Sequence, residues 1–260
     1  MGGVNSNENF IKNVDAWNDY FSSLTDFQKS TLQKIDFSGK VGLAPVTGAV
    51  QNIGFTNEKD FYLPYFKLGL EKNYFLCVGD GAPDEKLEFG LDAIKKLNQK
   101  AYFILKPYPN ENLIRRINLV LPYAAGIGLD IDAYNIVTMR NQVHLEKKTF
   151  SQIQELRKYT KNLPFILKGI FTKEDLELCA RVRPEIAVVS NHGGRVQTET
   201  GSTCDFLVQN LETLKKSCQN IWIDGGIRTT QNIQTALFIG ADKVLIARPL
   251  ISEVCKSFLI

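Results

Sequence analysis

Val188-Val189-Ser190-Asn191-His192-Gly193-Gly194-Arg195 is an apolar run that ends in a polar, glycine-rich loop. It places one candidate base and one fixed cation just past the end of a strand. The next apolar run ends in Asp224-Gly225-Gly226-Ile227-Arg228, and the one after it in Ala247-Arg248-Pro249. Near-continuous apolar runs of this length are expected of parallel strands buried on both faces. Working outward, the same pattern predicts eight strands: 41–45, 74–78, 101–105, 126–131, 164–168, 186–190, 221–224 and 243–247.

The stretches between them read as helices. The segment 83–97 carries acids early and lysines late, which suits the helix dipole. Thr172, with Asp175 three residues on, has the pattern of a capping box. Residues 229–239 and the stretch after Pro249 complete the series. Eight strand–helix units in 260 residues predict a (β/α)8 barrel over residues 41–260, preceded by an N-terminal helical extension over 1–40. A doubly wound open sheet is the alternative, but no early Gly-x-Gly-x-x-Gly turn is present.

Composition narrows the function classes. The net charge is +3 and the basic residues are scattered, which argues against nucleic acid and suits a small anionic ligand. No apolar run has membrane-span length, and residues 1–9 lack the order of a signal peptide, so a cytoplasmic setting is expected. The five cysteines show no metal-ligand spacing, and no metal is expected.

Barrel active sites lie at the C-terminal ends of the strands. Gly225 and Gly226 let backbone approach a ligand just before a helix, and Arg228 and Arg248 add charge, so a phosphate is expected there. The bland reading is a tight βα turn. Lys168 ends an apolar run, either snorkelling to the barrel mouth, stabilising negative charge on a cofactor ring or forming a Schiff base. His192 is one of only two histidines, and its loop position beside Arg195 favours a base over a structural role. His144 lies in a solvated context and is given none. Asp130 and Asp132 flank Ile131, a pair able to bind metal, share a proton, orient His192 or cap the strand end.

These residues resemble the FMN-dependent α-hydroxy acid oxidases and dehydrogenases, the group of glycolate oxidase, lactate oxidase and flavocytochrome b2. Ser190–Arg195 looks like the active-site signature of that family. The match runs from Leu167-Lys168-Gly169 through Asp224–Arg228, Gly240-Ala241 and Ala247-Arg248-Pro249. The resemblance implies FMN as cofactor, held by Ala44, Pro45, Gly79, Lys168, Asp224, Gly225, Gly226, Arg228, Ala247 and Arg248. It implies His192 as base, Asp132 as the carboxylate orienting it, Arg195 as carboxylate clamp, and Lys168 beside the flavin ring. It also implies a homo-oligomer, by analogy a tetramer, and leaves the electron acceptor open.

The departures lie on the substrate side. Lys106 stands where the family has a tyrosine, Ile104 where it has a glutamine, Gly79 for a serine and Asp130 for a threonine. The lid after strand four is shortened, and Arg140 is aligned with a second substrate arginine. Lys106, Asp130, Arg140 and Arg195 are therefore the expected substrate contacts, for an acid larger than lactate or one carrying another anion such as phosphonate. Two other readings are a non-redox FMN isomerase of the type 2 isopentenyl diphosphate isomerase kind and a flavin binder that has lost the parent activity. The His192/Arg195 pair argues against the first and the retained His192 against the second.

Overall fold

The computed structural model describes residues 7–136 and 143–258. Two helices, α1 (Glu8–Ser23) and α2 (Asp26–Gln33), precede the first strand. Strands and helices then alternate: β1 (Val41–Leu43), α3 (Lys59–Glu71), β2 (Cys77–Gly79), α4 (Glu85–Lys96), β3 (Ala101–Leu105), α5 (Asn110–Val120), β4 (Ala124–Asp130) and α6 (Phe150–Arg157). The series continues with β5 (Phe165–Ile170), α7 (Lys173–Val182), β6 (Ile186–Val189), α8 (Thr203–Ser217), β7 (Asn220–Ile223), α9 (Thr230–Ile239), β8 (Lys243–Ile246) and α10 (Arg248–Phe258). All pairings are parallel, in the order β1-β8-β7-β6-β5-β4-β3-β2. The bridge between Gly42 and Phe75 joins the two ends, so the sheet curls into the predicted (β/α)8 barrel.

The helices start where side chains can satisfy their free amides. Thr172 and Thr229 each accept from the residue three positions on, and each is bonded back by that residue's side chain. Helix α4 begins two residues later than the sequence suggests but keeps Glu85 and Glu88 in its first turn and Lys95 and Lys96 in its last.

The barrel interior is filled rather than hollow. Its floor is a plug in which the Trp222 ring centroid lies 5.0 Å from both Phe75 and Tyr102. Lys243 Nζ caps this plug from 4.7 Å above Phe75. Above it lies an apolar layer that includes Cys77, Ile104, Ile166, Val188 and Leu245. At the top, the β4/β5 register sets Asp130 beside Lys168.

Only the third strand keeps its expected bounds; most of the others shift by a residue or two at their ends, and two of the differences bear on the core and the site. The second strand is Cys77–Gly79 rather than 74–78, because Phe75 makes only a single bridge before the chain enters the sheet. The fourth strand stops at Asp130, and Asp132 opens a short 3-10 turn, so the two carboxylates are not both strand residues.

Candidate active site

An open cleft lies over the C-terminal ends of β1, β5, β6, β7 and β8. Of the expected cofactor residues, Ala44, Pro45, Lys168, Asp224, Gly225, Gly226, Arg228, Ala247 and Arg248 line it, together with His192 and Arg195. Gly79 does not. It packs under the cleft wall, where an added Cβ would lie 2.9 Å from the Pro45 carbonyl oxygen. Arg140 lies outside the described residues.

His192 heads a tight loop after β6. Its φ is +54°, and Gly193 and Gly194 follow at +62° and +91°. For histidine this left-handed conformation costs about 1–2 kcal/mol, and the loop holds it by local bonds. The Asn191 carboxamide accepts from the Gly194 amide at 3.0 Å, and Ser190 Oγ accepts from the His192 amide at 3.3 Å.

The ring of His192 is bonded at both nitrogens. Nδ1 lies 2.8 Å from Asp132 Oδ2, and Nε2 lies 2.8 Å from Asp130 Oδ2. Asp130 also accepts from Lys106 Nζ at 2.6 Å and from Lys168 Nζ at 3.3 Å. Lys168 in turn donates to Ser190 Oγ at 2.9 Å and pairs with Asp224 at 3.4 Å. Burial favours the neutral acid at Asp130, but His192, Lys106 and Lys168 outweigh it and hold the carboxyl well below the usual range. Burial opposes the charge of Lys168, but Asp130, Asp224 and Asp132 outweigh it and hold its ammonium above the ordinary value. The centre is thus a compact, alternating array of acidic and basic side chains.

Lys106 rests on a second buried network. Asp80, just beyond β2, accepts from the Lys106 amide at 3.1 Å, the Gly81 amide at 2.8 Å and Arg116 at 2.7 Å. Arg116 also pairs with Asp84 and stacks 4.2 Å from the Tyr108 centroid. Burial is the main influence on the Asp80 carboxyl and pushes it up to about 6, against the pull of Arg116 and the amides. Asp80 and Arg116 were not expected from the sequence. The only signal is the Asp-Gly pair past strand two.

The far end of the cleft is cationic. Arg228 and Arg248 form no ion pair among the described residues. Burial, then the nearby Arg248, lowers Arg228 to about 10, so it remains charged. Gly225 and Gly226, both at positive φ, turn the chain here, and their amides bond to no group among the described residues. Asp224 Oδ1 is buried without a hydrogen-bond partner. Unpaired arginines, unengaged amides and an orphaned acceptor fit a ligand carrying both a phosphate and hydroxyl groups.

A (β/α)8 barrel with unpaired arginines on the loops after its last two strands, beside a carboxylate-held histidine, has the layout in which barrel enzymes commonly place a phosphate-bearing ligand. The sequence profile of the FMN-dependent dehydrogenases matches residues 96–256, and the chain belongs to that family. The 2-hydroxyacid oxidase 2 of Bos taurus is 42% identical over 89 residues, which are 34% of this chain and 25% of that protein. The L-lactate dehydrogenase (cytochrome) of Saccharomyces cerevisiae is 33% identical over 105 residues, 39% of this chain and 18% of that protein. The aligned stretch therefore spans a quarter or less of these relatives. Among solved structures, a mandelate oxidase variant with (S)-mandelic acid superposes with a TM-score of 0.71 at 19% identity, over 99% of this chain and 83% of the other. A flavocytochrome b2 variant with pyruvate bound gives 0.69 at 20% identity, over 95% and 69%. These two likenesses speak for the fold.

Proposed function

We propose that this protein binds FMN and oxidises a 2-hydroxy acid, or a close anionic analogue, to the 2-keto product. The observation that carries the reading is the carboxylate-held His192 in the same cleft as Lys168, Arg195 and the unpaired Arg228 and Arg248. Arg228, Arg248 and the Gly225 and Gly226 amides would hold the phosphate of FMN. Asp224 would accept from a hydroxyl, and Lys168 would meet the negative charge that builds on the ring system. FMN, when bound, supplies the two-electron acceptor.

The chain's own residues bind and orient the substrate and move its proton. Arg195 is exposed at the cleft rim with no carboxylate partner among the described residues, free to clamp a carboxylate in two-pronged fashion. Asp132 fixes the ring through Nδ1 and stabilises its protonated form. Nε2 would take the substrate's proton, and Asp130, 2.8 Å from it and strongly favoured as the anion, would stabilise the imidazolium so formed. Lys106, which does not line the cleft, lies 2.6 Å from Asp130 and 3.1 Å from His192 Nε2 and would set the charge around the base. An imidazole–carboxylate pair of this kind contributes about 10²–10⁴-fold as general base.

The test is anaerobic. The protein is saturated with FMN, and flavin absorbance is followed while a panel of 2-hydroxy acids and hydroxyphosphonates is added. Bleaching by one compound, lost in His192→Ala with FMN still bound, supports the reading and names the substrate class. Bound flavin that no member of the panel bleaches overturns the redox assignment, and a protein without FMN affinity overturns the whole reading.

A further inference from the structure

Helix α1 lies across the cleft end that holds both loops, and its buried face is polar. Asn9, Asn13 and Trp17, spaced one helical turn apart, are 2%, 0% and 0% exposed. A helix that served only to cover a barrel would bury leucine there, since an amide is costly inside unless every polar atom is bonded. Here the bonds are made, and they go to the functional loops. Asn13 Nδ2 donates to Asn191 Oδ1 at 2.7 Å, and Asn13 Oδ1 accepts from the Thr203 amide at 2.9 Å and from Asn191 Nδ2 at 3.3 Å. Asn191 directly precedes His192. Asn9 bonds to the Val196 and Glu199 carbonyls and accepts from the Gly201 amide. Trp17 Nε1 donates to the Gly225 carbonyl at 2.8 Å.

The glycines of both loops make this approach possible. A Cβ at Gly226 would lie 1.8 Å from the Asn13 carbonyl oxygen, and one at Gly194 would lie 2.5 Å from the Phe10 amide nitrogen. On the same helix, the Phe10 ring centroid lies 4.1 Å from the Arg248 guanidinium carbon and 5.9 Å from that of Arg228. At 4.1 Å the ring is in van der Waals contact with the Arg248 guanidinium, which limits the orientations that group can take.

We propose that α1 is a clamp that positions both ends of the site. Asn13 fixes the His192 loop through Asn191, and Phe10 presets Arg248 and Arg228 for a phosphate. Docking of α1 and binding of FMN are then coupled, and each strengthens the other. The proposal rests on the reading that these arginines receive the phosphate of FMN. Phe10 and Asn13 are positioning residues and touch no reacting atom.

The experiment compares hydrogen exchange of the whole protein alone, with FMN, and with riboflavin, which lacks the phosphate. Cofactor affinity is measured in parallel by flavin fluorescence. FMN is expected to slow exchange over residues 8–23 and 191–196 together, and riboflavin to leave residues 8–23 unchanged. Phe10→Ala is expected to weaken FMN by roughly two- to thirtyfold, the range that loss of one cation–π contact gives, with little effect on riboflavin. Phe10→Tyr should restore the affinity. Asn13→Ala should abolish the FMN-induced protection of 191–196. A wild-type protein that binds no FMN overturns the cofactor reading and this proposal with it. The proposal alone is overturned if FMN binds without slowing α1, if riboflavin slows it equally, or if Phe10→Ala binds FMN as wild type does. A loss in Phe10→Tyr as large as in Phe10→Ala also overturns it.

Discussion

Replacing Asp130 by asparagine tests the charge array without any cofactor. Asp130 is 3% exposed, and its two oxygens accept from Lys106 at 2.6 Å, His192 at 2.8 Å and Lys168 at 3.3 Å. The substitution keeps the volume and removes the charge. Lys106, 7% exposed, then has no carboxylate partner among the described residues, whereas Lys168 keeps Asp224 and Ser190. Removing one partner of a buried pair costs about 3–5 kcal/mol, because the other charge stays buried and uncompensated. At about 2–4 °C per kcal/mol for a chain of this size, the melting temperature should fall by roughly 6–20 °C. Urea unfolding at pH 7 gives the free energy directly. A loss under about 1 kcal/mol, the scale of an exposed pair, would refute the reasoning. The pH dependence has a definite sign. The folded-state carboxyl lies well below its ordinary value, so Asp130 contributes fully above the unfolded value of ~3.9. That contribution is lost only as pH falls through the lower, folded value. The gap between wild type and Asp130→Asn should therefore persist at neutral and mildly acidic pH and narrow only in strong acid. Adding Lys106→Met should recover part of the loss, with a coupling of at least about 1.5 kcal/mol in a double-mutant cycle.

Gly226→Ala should lift α1 from the barrel, since the new Cβ meets the Asn13 carbonyl and the residue must keep φ near +75°; faster proteolysis within residues 8–23 is the readout. Asp80 has the opposite pH sign to Asp130: its folded carboxyl, at about 6, lies above the unfolded ~3.9. Its contribution is complete below pH ~4 and lost as pH rises through 6, so Asp80→Asn should make the stability–pH curve rise more steeply with pH between 4 and 6 in urea titrations. Lys106→Ala should change which hydroxy acid bleaches the flavin. Unchanged activity and unchanged preference would remove Lys106 from the substrate site.

The strands were legible because parallel strands buried on both faces leave uninterrupted apolar runs, as in Phe165–Leu167 and Ile186–Val189. Phe75 misled because its ring serves the barrel floor while its backbone stands almost outside the sheet. Lys168, His192, Arg228 and Arg248 stood out as polar residues at strand ends. The Lys106–Asp130–His192 contact did not, since lateral register between β3, β4 and β5 is a property of the closed barrel and leaves no periodic trace. The Gly225-Gly226 pair was read for ligand approach, and in the structure its open side receives α1 and Thr203. Residues 1–40 read as a helical extension, but its role at the site was not legible, because the buried positions of α1 include two asparagines, whose bonds lie 178–192 positions away in sequence.

That separation has a consequence for how the protein is made. Strand β1 pairs principally with β8, and α1 with the loops after β6 and β7, so neither has its main partner until about 200 further residues exist. At a synthesis rate of about 5–20 residues per second, that is roughly 10–40 s on the ribosome. During this interval the Trp17 face of α1 and an unpaired edge of β1 stand open. A helix that buries asparagines instead of leucines is a poor aggregation seed over such a delay, and its polar face selects its late-arriving partners by hydrogen-bond pattern.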